Sequence, residues 1–201
     1  CWGRAVGDPD AAEILPRWLR QGAPIGILEH IDTANVFPAV VPTDPVRNPD
    51  SLFSELAGWA NYASAEDEPE VVKGLLDAHA AKGHSNFFES ITDLEQHLGV
   101  DCIVLTKLTL ITEYKADSTP KHRLIWDLIR SDVSSAVTLE ERIVLPRVQD
   151  AVDDARHVRL HCNDDLGGMV LDIADAFHNV PMRPSERRFA CGKVGDRFIL
   201  F

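Results

Sequence analysis

The stretch Met169-Val-Leu-Asp172-Ile-Ala-Asp175-Ala-Phe177 decides how the rest of this chain is interpreted. Its apolar beginning predicts a buried strand that ends at Asp172. A carboxylate in that position is costly unless it binds a cation or a hydrogen-bond donor. Hard cations such as Mg²⁺ take oxygen ligands and keep waters and substrate phosphates around them. The stretch is therefore the first candidate for the chemistry of this chain.

The composition is that of a globular protein with reduced thiols. Of the 201 residues, 45% are hydrophobic and 26% are charged, which predicts a packed core rather than disorder. No apolar run reaches the length of a membrane span, and no secretion signal is present. The four cysteines form no CxxC pair, which is typical of intracellular thiols. We therefore expect an intracellular location (cytoplasm or nucleus) and no membrane partner, and the start at Cys1 suggests a fragment.

The charge is distributed unevenly along the chain. A net charge of −12 argues at first sight against a nucleic-acid binder. Residues 1–100, however, hold 16 acids and 6 bases, whereas residues 101–201 hold 16 acids and 14 bases. The second half is thus nearly neutral, and some of its acids can be metal ligands. The charge distribution indicates a boundary near residue 100, but it does not indicate the function of the chain.

The first hundred residues predict a mainly helical preface, either a linker or the end of an upstream polyprotein segment. Helices are expected over residues 8–22, 64–83 and 90–99 because apolar residues recur on one face between capping residues and terminal glycines. A proline-rich, extended connector is expected over residues 23–49. No residue of this preface has an assignable chemistry.

The second hundred residues predict β-structure with one further helix. Two apolar runs within residues 102–112 and a run over 121–128 predict a hairpin, since a polar turn separates them at 115–120. A proline-started helix is expected from Pro146 to about residue 157, and a second hairpin over 187–201. The sequence therefore predicts an α+β fold.

Three features of the second half occur together in a recognisable order. They are a basic hairpin tip around Asp117-Ser-Thr, the phrase Arg123-Leu-Ile-Trp-Asp127-Leu, and the segment from Asp172 to Phe177 followed by Asn179-Val-Pro. In this order and spacing they resemble the fingers and first palm motif of the reverse transcriptases of retroviruses and retrotransposons. The resemblance covers about residues 101–201 and implies the fingers and palm portion of a right-hand polymerase fold.

The resemblance implies an RNA-directed DNA polymerase that transfers nucleotides from dNTP to a primer 3′-OH with two Mg²⁺ or Mn²⁺ ions. Asp172 would be the catalytic carboxylate and bind both ions, and the Ile173 carbonyl would complete the shell of the second. Asp175 and Ala176 would present backbone N–H groups to the triphosphate. Phe177 would lie under the deoxyribose and exclude a 2′-hydroxyl.

The resemblance also assigns the hairpin to the phosphates of dNTP, with a primed RNA or DNA template as the second partner. Lys115 and Arg123 would neutralise the β- and γ-phosphates. The hairpin carries one insertion relative to the commonest spacing of the family, so Lys121 can take the place of Lys115. The later family motifs, including the Tyr-x-Asp-Asp turn with the other carboxylates, do not occur in these 201 residues. We therefore expect the chain to be inactive alone.

Three other interpretations stay open. An aspartyl-phosphate phosphotransferase would use Asp172 as nucleophile, but it needs a second aspartate two positions later, where this chain has Ala174. A decayed, noncatalytic module derived from a retroelement would only bind a partner. A zinc site could use His157, His161 and Cys162, although no further ligand pair is evident.

Overall fold

The fold combines helices with two antiparallel sheets. A computed structural model describes residues 13–33, 37–40, 48–54, 56–145, 147–161, 167 and 172–201, with Phe177 described by its backbone alone. The helices of this part are α1 (Leu15–Gln21), α2 (Ala63–Glu66), α3 (Pro69–Ala81), α4 (Ile91–Leu98), α5 (Val133–Ala136) and α6 (Val148–His161). The strands are β1 (Asn86–Phe88), β2 (Lys107–Tyr114), β3 (Pro120–Asp127), β4 (Cys191–Val194) and β5 (Arg197–Leu200). The predicted α+β class is confirmed.

The predicted hairpin is confirmed as strands β2 and β3. Their register runs from the pair Lys107–Asp127 to the pair Tyr114–Pro120. In the turn, the Asp117 carboxylate accepts a hydrogen bond from the backbone N–H of Thr119 at 3.0 Å. Ser118 adopts a φ of 64°, a left-handed conformation that a short polar side chain tolerates better than a branched one. The turn residues therefore set the register of the hairpin.

The second predicted hairpin is confirmed as β4 and β5, and it belongs to a three-stranded sheet. Both pairings in the order β1-β5-β4 are antiparallel, and the turn uses Gly195 with a φ of 56°. Strand β1 comes from the first hundred residues and was not predicted, because three residues are too few for a visible alternation. The β-rich run over residues 102–105 forms no strand and instead makes an isolated bridge from Leu105 to Cys191.

One hydrophobic core joins the two halves of the chain. Val72 and Leu76 of α3 pack against Leu108 and Leu110 of β2 and against Ile199 of β5. Leu76, Leu108 and Ile199 have no exposed surface. The predicted domain boundary at residue 100 thus falls between elements that share a sheet and a core.

The prediction of one helix over residues 64–83 is wrong. Helix α2 ends at Glu66 and α3 begins at Pro69, while Glu68 adopts φ −125° and ψ 55°. Proline has no N–H for the preceding turn, and its ring disfavours helical backbone at the residue before it. Pro69 therefore starts a new helix.

A bent segment of the preface, residues 25–29, is held against the second half by one buried side chain. Glu186 is fully buried in the 3₁₀ helix Pro184–Phe189. Its oxygens accept hydrogen bonds from the backbone N–H groups of Ile25 (2.6 Å), Ile27 (2.9 Å), Leu28 (2.7 Å) and Glu29 (3.2 Å). These bonds supply the partners that a buried carboxyl group requires.

The predicted proline-started helix is observed as α6, and it lies on the surface. No described residue of α6 is buried, and Val148 and Leu160 are 83% and 82% exposed. Pro146 lies outside the described residues. None of the described helices combines the length and the apolar character that a membrane span requires.

Candidate functional site

The segment that contains Asp172 is exposed where the structure describes it. Residues 168–171, most of the predicted buried strand, lie outside the described residues. Asp172 and Ile173 are described, and both are exposed and belong to no strand. An apolar run becomes a strand only when a neighbour supplies hydrogen-bond partners, and none pairs with these two described residues. The expectation of a carboxylate at a buried strand end is therefore wrong for Asp172, which can instead meet ligands from solvent.

Residues 172–178 turn sharply after Ile173, and we call them the 172–178 segment. Asp175 adopts a φ of 52° and precedes the 3₁₀ helix Ala176–His178, in which the His178 N–H donates to the Asp175 carbonyl at 2.8 Å. No described hydrogen bond uses the backbone N–H of Asp175 or Ala176. The side chain of Phe177 lies outside the described residues. Two of the predicted triphosphate-binding groups are thus free to bind a ligand.

The Asp175 side chain is anchored at the end of α3. Lys82 Nζ donates to Asp175 Oδ2 at 2.6 Å, and this bond is the main cause that lowers the pKa of the Asp175 carboxyl group. Both side chains are partly exposed, so the pair fixes the geometry of the segment more than it stabilises the fold. Local sequence pattern gives no sign of Lys82, because 93 residues separate it from Asp175.

Three histidine rings lie beside this anchor. Helix α3 ends in a turn in which Gly83 has a φ of 76°, and the His84 N–H donates back to the His79 carbonyl at 3.0 Å. This Schellman turn brings His84 close to His79. The His178 ring centroid lies 4.9 Å from that of His79 and 4.8 Å from that of His84. Burial lowers the pKa values of His79 and His178.

The basic residues of the hairpin lie on its solvent face. Side chains alternate across a strand, and Leu124 and Trp126 pack against the core, so Lys121 and Arg123 project from the opposite face. Arg123 Nη1 donates to Glu113 Oε1 at 3.2 Å, and both side chains are half exposed. Lys115 is exposed beside the turn.

The base of the hairpin, rather than its basic face, meets the 172–178 segment. Trp126 and Phe201 have ring centroids 3.9 Å apart, and Phe201 lies 5.7 Å from the His178 ring. A cavity of about 310 Å³ opens here, lined among others by Trp126, His178 and Arg187. In the described part of the chain, no hydrogen bond or ion pair joins the three basic hairpin residues to Asp172 or Asp175. The structure therefore brings the two predicted regions together only at the hairpin base.

The donor set at Asp172 fits part of a hard-cation shell. The Asp172 carboxylate and the Ile173 carbonyl are oxygen donors, the type that Mg²⁺ and Mn²⁺ take. Among the described residues, however, no group of three or more His, Cys, Asp or Glu side chains has the arrangement of a metal centre. Asp172 and Ile173 would need water, substrate phosphates or further carboxylates to complete a site.

The alternative zinc ligands are only partly described. His157 and His161 lie on one face of α6 with ring centroids 4.2 Å apart, but His161 Nδ1 bonds the His157 carbonyl at 2.7 Å. Cys162 lies outside the described residues. Cys191 is buried in the core, and this burial raises the pKa of its thiol to about 12.

A polar contact near the hairpin base was not predicted. The Tyr62 hydroxyl donates a short hydrogen bond to Asp127, which raises the pKa of Tyr62 and lowers that of Asp127. Lys107 Nζ lies 5.7 Å from the Trp59 ring and 5.9 Å from the Tyr62 ring. Because these contacts join distant parts of the chain, local pattern could not reveal them. The Tyr62 contact lies at Asp127, the last residue of β3.

Comparison with protein-family models, with curated proteins and with solved structures gives no match to this chain.

Proposed function

We propose that this chain contributes the fingers and first palm motif of an RNA-directed DNA polymerase of the reverse transcriptase type. The observation that carries the proposal is a hairpin that turns at Asp117-Ser-Thr and is followed in the chain by an exposed Asp172 and a tight turn at Asp175. The resemblance predicts a hairpin followed by the motif from Asp172 to Phe177 in this order, whereas the exposure of Asp172 and the turn at Asp175 are additions from the structure. Its substrates would be dNTP and a primed RNA or DNA template.

Asp172 and Ile173 would hold Mg²⁺ or Mn²⁺ through a carboxylate and a backbone carbonyl. When bound, such cations activate the primer 3′-hydroxyl and neutralise charge on the triphosphate. The exposure of Asp172 supports this role, because a ligand reaches it without displacing core residues. The remaining carboxylates would come from outside these 201 residues, since no Tyr-x-Asp-Asp motif occurs in them.

The 172–178 segment would bind the triphosphate through backbone groups. The N–H groups of Asp175 and Ala176 make no described hydrogen bond, and the Lys82–Asp175 pair keeps the turn in place. Holding donors in their binding geometry before the ligand arrives reduces the ordering cost of binding. The Phe177 ring would select deoxyribose, as the resemblance implies.

The hairpin would supply positive charge by closing over the bound dNTP. Arg123 would have to exchange Glu113 for a phosphate, and exposed ion pairs contribute at most about 1 kcal/mol. A bidentate bond from a guanidinium group to phosphate is stronger than such a pair. Lys115 and Lys121 are exposed and make no described ion pair, so they would move with the hairpin without exchanging a partner.

Primer extension tests the proposal. A chain lengthened by its native downstream sequence is mixed with a primed template, dNTP and Mg²⁺, and incorporation is measured for the wild type and for Asp172→Asn. We expect Asp172→Asn to abolish incorporation and Arg123→Ala to reduce it. Arg156→Ala, which changes an exposed residue of α6, is the matched control and should be neutral. Equal incorporation by Asp172→Asn would overturn the proposal.

A noncatalytic binding module is the second candidate. It is favoured by the isolation of Asp172, which has no cluster of carboxylates around it among the described residues. The same assay separates the two functions. Binding of the primed template without incorporation by the lengthened wild-type chain would favour the module.

A further inference from the structure

The end of α3 and the 172–178 segment meet through imidazole rings rather than through an apolar contact. His79 lies in the last turn of α3, His84 follows the Gly83 turn, and His178 ends the 3₁₀ helix. Their centroids are 4.8 to 6.3 Å apart, and Phe201 covers the cluster at 5.7 Å from both His79 and His178. Three rings from two distant parts of the chain therefore share one site.

Each ring holds one nitrogen that is shielded from solvent and has no hydrogen-bond partner among the described residues. These atoms are His79 Nδ1, His84 Nδ1 and His178 Nε2. A shielded ring nitrogen without a partner is tolerated far better on a neutral imidazole than on an imidazolium, whose two N–H groups both require acceptors. Among the described residues, the cluster does not have the arrangement of a metal centre.

The charges that face the cluster cannot accommodate three imidazolium rings. In the described part of the chain, Asp175 is the one acidic group that acts on His79 and His178, and Lys82 already bonds it. Lys82 itself is positive, and Arg187 lines the same cavity as His84 and His178. Protonation would therefore add positive charge where positive charge already exceeds negative charge.

We propose that His79, His84 and His178 form a proton-operated latch that holds the 172–178 segment against the end of α3. The latch is closed while the three rings are neutral and opens when they take up protons. Opening would separate His178 from His79 and His84 and release the turn that carries the N–H groups of Asp175 and Ala176. The latch is independent of the proposed polymerase function, although it would regulate the same segment.

The direction of the pH effect follows from linkage. His79 and His178 have lowered pKa values in the closed state, whereas an open segment restores the ordinary value of 6.5. The open state therefore binds more protons as the pH falls below 6.5, and the closed state is lost in that range. At pH 5.5, one pH unit below the open-state pKa, each such histidine shifts the equilibrium towards opening by up to about tenfold.

Amide hydrogen exchange on the 201-residue chain tests the latch. After correction for intrinsic rates, we expect the protection of the hydrogen-bonded amides of His178 and Asn179 to fall between pH 7.5 and pH 5.5, by up to about tenfold for each of His79 and His178. His178→Phe keeps a ring in the cluster and should lose the share of this dependence that His178 contributes. His157→Phe, on the exposed surface of α6, is the matched control and should behave as the wild type. Unchanged wild-type protection, or an undiminished dependence in His178→Phe, would overturn the proposal.

Proton titration of the wild-type histidines keeps the test decisive if His178→Phe does not fold. We expect the ring resonances of His79 and His178 to titrate below pH 6.5, together with changes in the amides of residues 173–180. Titration of both rings at or above 6.5 would overturn the latch. Neither measurement requires polymerase activity, so a negative primer-extension result leaves the latch intact.

Discussion

The β2–β3 hairpin and the 172–178 segment are held by interactions of different range. Each ladder partner in the hairpin comes from the adjoining strand, and its turn is fixed by Asp117, Ser118 and Thr119. The 172–178 segment depends instead on Lys82, His79 and His84, which lie some ninety residues earlier in the chain. Both regions carry proposed phosphate-binding residues. The conformation of the hairpin is determined by local sequence, whereas that of the 172–178 segment is determined by tertiary contacts.

This difference has a consequence for dynamics. The base of the hairpin, where Leu108 and Leu110 are buried, opens only with the core, whereas a segment held by one exposed ion pair and a ring cluster can open locally. We therefore expect pH and single substitutions to change local opening of the 172–178 segment more than that of the hairpin. Four substitutions examine this contrast, from the largest expected effect to the smallest.

Leu108→Ala should have the largest effect. Leu108 is fully buried on the core face of β2, and truncating such a side chain costs about 2–5 kcal/mol of unfolding free energy. Ile111→Ala is the matched control on the solvent face of the same strand, where 43% of the residue is exposed, and should cost less than about 1 kcal/mol. Urea denaturation measures both values. Equal losses of unfolding free energy in the two variants would contradict the assignment of Leu108 to the buried face and Ile111 to the solvent face of β2.

Glu186→Gln should destabilise the attachment of residues 25–29. The amide NH₂ group of glutamine would face backbone N–H donors where a carboxyl oxygen now accepts, and a buried donor without a partner costs about 1–3 kcal/mol. We expect lower stability in urea and faster exchange of the amides of residues 25–29. Unchanged exchange there would show that the preface is attached by other contacts.

Gly83→Ala should lower stability by about 1 kcal/mol because residue 83 has a φ of 76°. It should also loosen the turn that carries His84. Gly74→Ala is a close control, since Gly74 lies inside α3 with open space around the added methyl group. That change should raise helix stability by up to about 1 kcal/mol. A thermal unfolding series in which both variants shift in the same direction would contradict the assigned turn.

Lys82→Met should change the titration of Asp175 more than the stability of the protein. Without the Lys82 bond, the pKa of Asp175 should rise towards its ordinary value of 3.8. The lowered pKa stabilises the fold above that value, and this contribution disappears as the pH falls through the folded-state pKa. Carboxyl NMR titration measures the shift. An unchanged titration would mean that Lys82 does not bond Asp175 in solution.

Local signals in the sequence predicted much of the secondary structure. The left-handed Gly99 ends α4, and the Ser90 hydroxyl caps its start by accepting from the Asp93 N–H at 3.1 Å, both as expected. The turn residues likewise placed both hairpins. Local pattern failed at Pro69, where the proline starts a helix rather than lying within one.

The candidate site could be predicted only in part. The order of motifs pointed to Asp172, Asp175 and the basic hairpin residues, but an apolar run alone could not show that Asp172 and Ile173 are exposed. The histidine cluster left no local signal, because His79 and His178 meet only after the chain has folded. Contacts of this range depend on tertiary packing rather than on propensity.

Paramagnetic line broadening tests the central claim, that Asp172 binds a divalent cation next to the triphosphate-binding turn. Amide spectra of the 201-residue chain are recorded with Mn²⁺ and dNTP for the wild type, Asp172→Asn and the exposed α6 control Asp154→Asn. Selective broadening of the amides of residues 173–176 is expected in the wild type and in Asp154→Asn, and its loss in Asp172→Asn. Equal broadening in Asp172→Asn, or none in the wild type, would contradict the account.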